Sequence, residues 1–114
     1  MVDWQRLKAR YDRLSWQHRL GNLASTLARS ATASTSSRSI TSVPDLLREG
    51  MWIIEWSAPD APLDVLADLA PMQLELGLLR SSWAGAAEAV QPLLAHRVRV
   101  MSNRVLEFSG LLNS

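Results

Sequence analysis

The segment 46–56 differs from the rest of the chain because its apolar residues fall on almost every side of a helix. These residues are Leu46, Leu47, Met51, Trp52, Ile53, Ile54 and Trp56. A helix that is apolar around most of its circumference is usually buried on several sides. Ser42 and Pro44 precede it as a candidate N-cap and a first-turn proline. We therefore predict a central helix over 44–57, with the other helices packed around it.

An amphipathic helix is predicted before this segment. Its apolar residues recur at intervals of three and four, first in one phase and, beyond Leu14, in another. They are Trp4, Leu7, Tyr11 and Leu14, followed by Trp16, Leu20, Leu23 and Leu27. The spacing predicts one helix over 3–31, capped by Asp3, which bends or meets a different neighbour in its second half.

Two further helices are predicted after the central one, over 63–90 and 92–109, separated at Gln91-Pro92. In both, apolar residues alternate by four and three, which indicates packing at a shallow angle. The positions are Val65, Leu69, Met72, Leu76, Leu79, Trp83, Ala86 and Val90, then Leu94, Val98, Met101, Val105, Phe108 and Leu112. Because a proline inside a helix removes one backbone hydrogen bond, we expect a kink near Pro71. Gly110 is a candidate C-cap for the last helix.

These elements predict a single all-α domain, an antiparallel bundle of about four helices. Strand signals are nearly absent, since the chain has no alternating apolar run and no Asn-Gly or Asp-Gly turn. Nine of the thirteen residues in 30–42 are Ser or Thr. Such residues compete with helix formation, which predicts a flexible loop there. Pro59 and Pro62 separate the central helix from the next one.

The composition is typical of a folded domain. Apolar residues make up 47% of the 114 residues and charged residues 20%. No uncharged apolar run approaches the roughly 20 residues that span a bilayer, and the first residues do not resemble a signal peptide. The absence of cysteine fits a reducing compartment. We therefore expect a cytoplasmic protein without a membrane span.

Signatures of catalysis and of cofactor binding are missing from the sequence. There is no cysteine to serve as a nucleophile or a ligand, and neither His18 nor His96 has a carboxylate at the spacing of zinc or di-iron motifs. The five glycines are scattered and form no phosphate-binding loop. Glu49 and Glu55 are expected to pair with arginine rather than to act as acid or base. The sequence therefore predicts a non-enzymatic protein with no cofactor and no metal.

Five tryptophans, beside one Phe and one Tyr, are the most unusual feature of the composition. Trp52 and Trp56 cannot face the same neighbour as Leu47 and Ile54. They are therefore either buried by another helix or exposed as a patch. Tryptophan and arginine are the residues most enriched at interface hot spots. We interpret the pair as a partner-binding patch through which the protein forms a homodimer or docks on another protein.

The charge distribution adds a second candidate surface. Residues 1–40 hold seven Lys/Arg against two Asp/Glu, whereas residues 41–90 hold two against eight. Attraction within the bundle is the simplest explanation. The first helix nevertheless interleaves aromatic rings with a set of basic residues, as in proteins that bind phosphates and stack on bases. This set is Arg6, Lys8, Arg10, Arg13, His18 and Arg19.

Three of these residues, Arg6, Arg10 and Arg13, are assigned to partner binding together with the tryptophan pair. If the partner is a nucleic acid rather than a protein, these arginines would contact its phosphates. A further alternative function is a helical bundle that holds a small apolar ligand or a pigment between its helices.

Three strings of the sequence resemble those of small uncharacterised helical proteins from cyanobacteria. They are the segment 20–29, Ile54-Glu55-Trp56, and the segment 104–112. The resemblance covers most of the chain and contains no catalytic or binding signature. It implies a cytoplasmic protein of a photosynthetic bacterium and assigns no activity.

Overall fold

The computed structural model of the protein describes residues 3–33, 42–83, 85–86 and 90–110. In these ranges the chain forms α-helices and one short 3-10 helix, without any β-strand. The elements are α1 (Trp4–Tyr11), α2 (Trp16–Ala33), α3 (Val43–Ser57), the 3-10 helix Ala58–Asp60, α4 (Leu63–Trp83) and α5 (Gln91–Ser109). The predicted all-α class is confirmed. The predicted count of four helices is not, since five α-helices lie within the described ranges.

The predicted helix over 3–31 is divided into α1 and α2. Asp3 caps α1 as expected, because its Oδ1 accepts a hydrogen bond from the backbone N of Arg6 at 3.2 Å. Ser15 then starts α2, with its Oγ accepting from the backbone N of His18 at 3.3 Å. A serine that caps a new helix at this point explains why the apolar stripe changes phase beyond Leu14.

Residues 30–33 of the flexible loop predicted over 30–42 are helical, because α2 continues to Ala33. Ser30 is buried, and its hydroxyl donates to the carbonyl of Leu27 at 2.8 Å. Because the hydroxyl of Ser30 finds its hydrogen-bond partner within α2, this serine is compatible with a helix at this position. The remaining residues of the predicted loop, apart from Ser42, lie outside the described ranges.

The signals at the ends of α3 and α5 act as predicted. The Oγ of Ser42 accepts from the backbone N of Asp45 at 3.2 Å, and α3 spans Val43–Ser57 against the predicted 44–57. α5 begins at Gln91, beside the predicted interruption. It ends at Ser109 and is followed by Gly110, whose φ of +80° is the left-handed conformation of a helix C-cap.

α4 continues through Pro71 as one helix. Its buried stripe is the predicted one, Val65, Leu69, Met72, Leu76, Leu79 and Trp83. Pro71 lies on the exposed side, where water can reach the carbonyl that a proline leaves without a donor. The kink near Pro71 stays a prediction. The predicted extension to residue 90 is wrong, since α4 ends at Trp83 and residues 85–86 are not helical.

The helices pack in the spatial order α5, α2, α3, α4. α2 and α3 approach closely at Gly50, where a Cβ atom would lie 3.3 Å from Cδ2 of Leu27. α4 packs on α3, and α5 packs mainly on α2, so these consecutive helices make few close contacts with each other. The expectation that the other helices surround the central one is therefore correct for α2 and α4 and wrong for α5. The largest fully buried side chains are Leu20, Leu23, Leu27, Leu47, Ile53, Leu69, Leu76, Val98, Met101 and Val105.

Candidate interaction surfaces

Three aromatic rings and the guanidinium of an arginine form an aromatic column along the outside of α3. The rings of Trp52 and Trp56 stack with their centroids 6.1 Å apart. Tyr11 of α1 adds a ring 5.6 Å from that of Trp56, and the guanidinium of Arg48 lies 5.0 Å from the ring centroid of Trp52. Both tryptophans are half-buried. The two tryptophans are therefore neither fully buried by another helix nor fully exposed as a patch. Other residues of the same chain cover part of each ring and leave part accessible.

Tyr11 anchors α1 to the body of the protein. Its side chain is 2% exposed, and its hydroxyl lies near Thr26 of α2. Burial, together with the nearby carboxylate of Glu49, raises the pKa of Tyr11 above its ordinary value. Arg29 donates to the hydroxyl of Thr26 at 3.2 Å and lies 3.8 Å from the carboxylate of Glu49. This polar network links α1, α2 and α3, and it includes the expected Glu49–arginine pair.

Arg19 of α2 is buried where α1, α2 and α3 meet. Its Nε donates to the carbonyl of Tyr11 at 2.8 Å, and its Nη1 donates to the carbonyl of Trp56 at 2.8 Å and to the carboxylate of Asp60 at 2.7 Å. These two carbonyls belong to the last turns of α1 and α3, where the helix itself supplies no donor. Arg19 therefore caps two helices at once. Its grouping with the exposed basic residues of the first helix is wrong.

Arg6, Arg10 and Arg13 remain exposed together on one side of α1 and the turn that follows it. No ion pair to any of them occurs within the part of the chain that the structure describes, whereas the neighbouring Lys8 pairs with Asp12 at 2.8 Å. The three arginines share a shallow depression of about 440 Å³ with Asp3, Leu7 and Ala9. The structure therefore keeps the predicted arginines together, but it buries Tyr11, one of the rings expected beside them.

The outer face of α4 is a surface that sequence reasoning missed. It consists of Leu63, Ala67, Ala70, Pro71, Leu74 and Leu78, all of them exposed. Leu63 is 83% exposed, Leu74 69% and Leu78 62%. These residues recur at the spacing of one helix face, opposite the buried stripe, and none is charged. The signal was present in the sequence, since the 21 residues of α4 include only four charged ones.

Charged and polar side chains mark the edges of this outer face. Along the edge next to α5, Arg104 lies 3.3 Å from Asp68, and Nη2 of Arg97 donates to Glu75 at 2.7 Å. This bond from Arg97 lowers the pKa of Glu75. Along the other edge, Gln73 donates to the carbonyl of Met51 on α3 at 3.3 Å. Residues at both edges thus bond to the neighbouring helices α5 and α3, while the apolar centre of the face is exposed.

Within the described ranges, no group of three His, Cys, Asp or Glu side chains could hold a metal ion. His18 and His96 are both exposed, and the ring of His18 hydrogen-bonds Ser15. The groove between α4 and α5, over Met72 and Met101, measures about 230 Å³. This is smaller than the roughly 300–1,000 Å³ of usual small-molecule sites, whereas the open depression beside Arg6, Arg10 and Arg13 falls within that range. No helix in the described part of the chain is long and apolar enough to cross a membrane.

Comparisons with protein families, curated proteins and solved structures found no match to this chain.

Proposed function

We propose that the protein is a non-enzymatic interaction module that acts by self-association, and that its homodimer forms through the outer face of α4. The observation that carries the proposal is the exposure of Leu63, Leu74 and Leu78 on one uncharged face. Single exposed leucines are common on protein surfaces, whereas a contiguous apolar stripe usually marks a contact site.

The hydrophobic effect supplies the driving force for this association. A leucine side chain that moves completely from water into an apolar contact contributes about 1.5–3 kcal/mol. A symmetric dimer buries each leucine of the face twice, once in each copy. This gain has to exceed the roughly 4–15 kcal/mol that two molecules lose in freedom of motion when they associate.

Replacement of two leucines at the centre of the face tests this proposal. The double variant Leu74→Ser with Leu78→Ser should weaken dimerisation at least about 100-fold, because each 1.4 kcal/mol of lost contact energy costs about a factor of ten. Sedimentation velocity over a range of protein concentrations measures the effect, and circular dichroism checks that the helices remain.

A matched control is Leu93→Ser, which removes a leucine of α5 that is 68% exposed and lies outside the face. This variant should dimerise like the original protein. The proposal is wrong if the original protein stays monomeric at every concentration, or if the double variant dimerises as strongly as the control.

The tryptophan pair remains a second candidate contact within the same function. Trp52 and Trp56 are half-buried, and the accessible part of each ring can contact a partner. Trp56 also stacks on Tyr11, so Trp56→Ala should reduce stability as well as binding. Trp52→Ala is the cleaner test, and it should weaken self-association if the column contributes to the contact.

Nucleic-acid binding is a second candidate function, favoured by Arg6, Arg10 and Arg13. They are exposed and lack an ion pair within the described residues. Each phosphate contact on a single strand adds about 0.7 to the slope of log affinity against log salt. Arg10→Ala with Arg13→Ala should therefore flatten that slope by about 1.4.

Fluorescence anisotropy with a labelled single-stranded oligonucleotide measures the slope. Arg99→Ala is the matched control, since Arg99 is an exposed arginine of α5 that bonds the hydroxyl of Thr32. Equal slopes for the control and the double variant would exclude these arginines as a phosphate-binding site.

A further inference from the structure

We infer that the outer face of α4 pairs with the same face of a second copy of this chain in antiparallel orientation. The two-fold axis passes between Ala70 and Pro71. The inference rests on the proposed function and adds the geometry of the contact. It is drawn from the order of the side chains on the face, from the charges at its edges and from its size.

The order of large and small side chains on the face complements itself when it is reversed. About the inferred axis, Leu63 lies opposite Leu78 of the second copy, and Ala67 lies opposite Leu74. Each Leu74 thus extends over a short alanine, while Ala70 and Pro71 at the axis let the two backbones approach. In a parallel pairing every residue would face its own copy. Leu74 would then meet Leu74 instead of an alanine, and Ala67 would face Ala67 across a gap that loses contacts.

The charges are compatible with this pairing. The face itself carries no charge, so two copies bring no like charges together at its centre. At the edge next to α5, Asp68 and Glu75 are already paired with Arg104 and Arg97, and the third carboxylate, Asp64, is exposed in the first turn of α4. Antiparallel helices also place each helix dipole beside the opposite end of the other. An anionic lipid surface fits less well, because α4 itself carries three carboxylates, Asp64, Asp68 and Glu75, against one arginine, Arg80.

The size of the face indicates a weak and reversible dimer. From Leu63 to Leu78 it is about 22 Å long, at about 1.5 Å per residue, and a helix with its side chains is about 10 Å wide. A contact of one helix with one helix is smaller than the roughly 800 Å² per partner of a standard interface. Association should therefore depend on protein concentration rather than be obligatory.

Single cysteines test the geometry, since the chain contains none of its own. A short bis-maleimide should link Ala70→Cys to its own copy, because residue 70 lies beside the axis. It should also link a mixture of Leu63→Cys and Leu78→Cys. Ser81→Cys should not link to itself, since the two copies of residue 81 lie about 32 Å apart along the antiparallel helices. In a parallel dimer they would be neighbours.

The outcomes separate this inference from the proposed function. Linking of Ala70→Cys and of the 63/78 mixture, without linking of Ser81→Cys, supports the antiparallel pairing. Linking of Ser81→Cys without the mixture overturns it and leaves self-association through α4 standing. A dimer in sedimentation without any of these links places the contact elsewhere and overturns both the geometry and the role of α4. A monomer at every concentration overturns the proposed function itself.

Discussion

At the scale of single residues, Arg19 contributes most to the arrangement of the helices. It is buried, and its guanidinium satisfies carbonyls at the ends of α1 and α3 while it pairs with Asp60. The carboxylate of Asp60 is 58% exposed, so the ion pair itself contributes little. The bonds to the two carbonyls matter more, because a buried carbonyl without a donor costs about 1–3 kcal/mol.

Replacement of this residue should therefore reduce stability without touching any exposed surface. We expect Arg19→Met, which keeps the length of the side chain and removes its donors, to lower the free energy of unfolding by about 2–3 kcal/mol. Urea denaturation followed by circular dichroism measures the change. Arg13→Met is the control, and it should stay within about 0.5 kcal/mol of the original protein because Arg13 is exposed. A loss of equal size in both variants would contradict the role of Arg19.

The role of Arg19 could not be predicted from the sequence, whereas several other residue assignments could. Asp3, Ser42 and Gly110 act at helix ends through their own neighbours in the chain, so local rules identify them. Arg19 bonds Trp56 and Asp60, which are 37 and 41 residues away. Such a contact depends on tertiary packing, which periodicity does not encode.

At the scale of elements, α4 is the helix whose sequence disagrees most with its structure. Pro71 removes one backbone donor, and the helix continues through it. Pro71→Ala should restore the bond to the carbonyl of Ala67. We expect a gain of up to about 3 kcal/mol in the free energy of unfolding, the difference between proline and alanine inside a helix.

A thermal unfolding scan measures this gain as a higher melting temperature. Pro62→Ala is the matched control, since Pro62 precedes the first residue of α4 and interrupts no helical bond. The control should be neutral or slightly destabilising, because alanine leaves the unfolded chain more freedom. A gain in the control and none at position 71 would contradict this account.

The sequence predicted which residues share a helix face, but not which faces are buried. The spacing of apolar residues tells which residues share a face, and the buried stripe of α4 follows it closely as far as Trp83. On α5 the predicted Val98, Met101 and Val105 are buried, whereas Leu94 and Phe108 are half-buried. The spacing does not tell which faces a neighbouring helix will cover. On α4 both faces are apolar, and only the packing of α3 decides that Leu69 and Leu76 are buried while Leu74 and Leu78 are exposed. The candidate contact site depends on this point, because it consists of the face of α4 that α3 does not cover.

At the scale of the whole molecule, α2 and α3 form the centre, with α4 packed on α3 and α5 packed on α2. The two outer helices follow each other in the chain, yet each packs mainly on an earlier helix. Ion pairs such as Arg97–Glu75 connect them where close packing is sparse. The acidic residues of α4 are therefore matched by arginines of α5, which modifies the expectation that the basic first helix balances them.

The packing of α5 on α2 has a consequence for how the protein forms. The hydroxyl of Ser102 donates to the carbonyl of Ala24, which is 78 residues earlier in the chain. Contacts between distant parts of a chain slow folding, because a long loop must close before they are made. During synthesis the apolar face of α2 stays uncovered until α5 has left the ribosome. The nascent chain is therefore open to aggregation or chaperone binding until α5 is available to pack on α2, although its helices can form early.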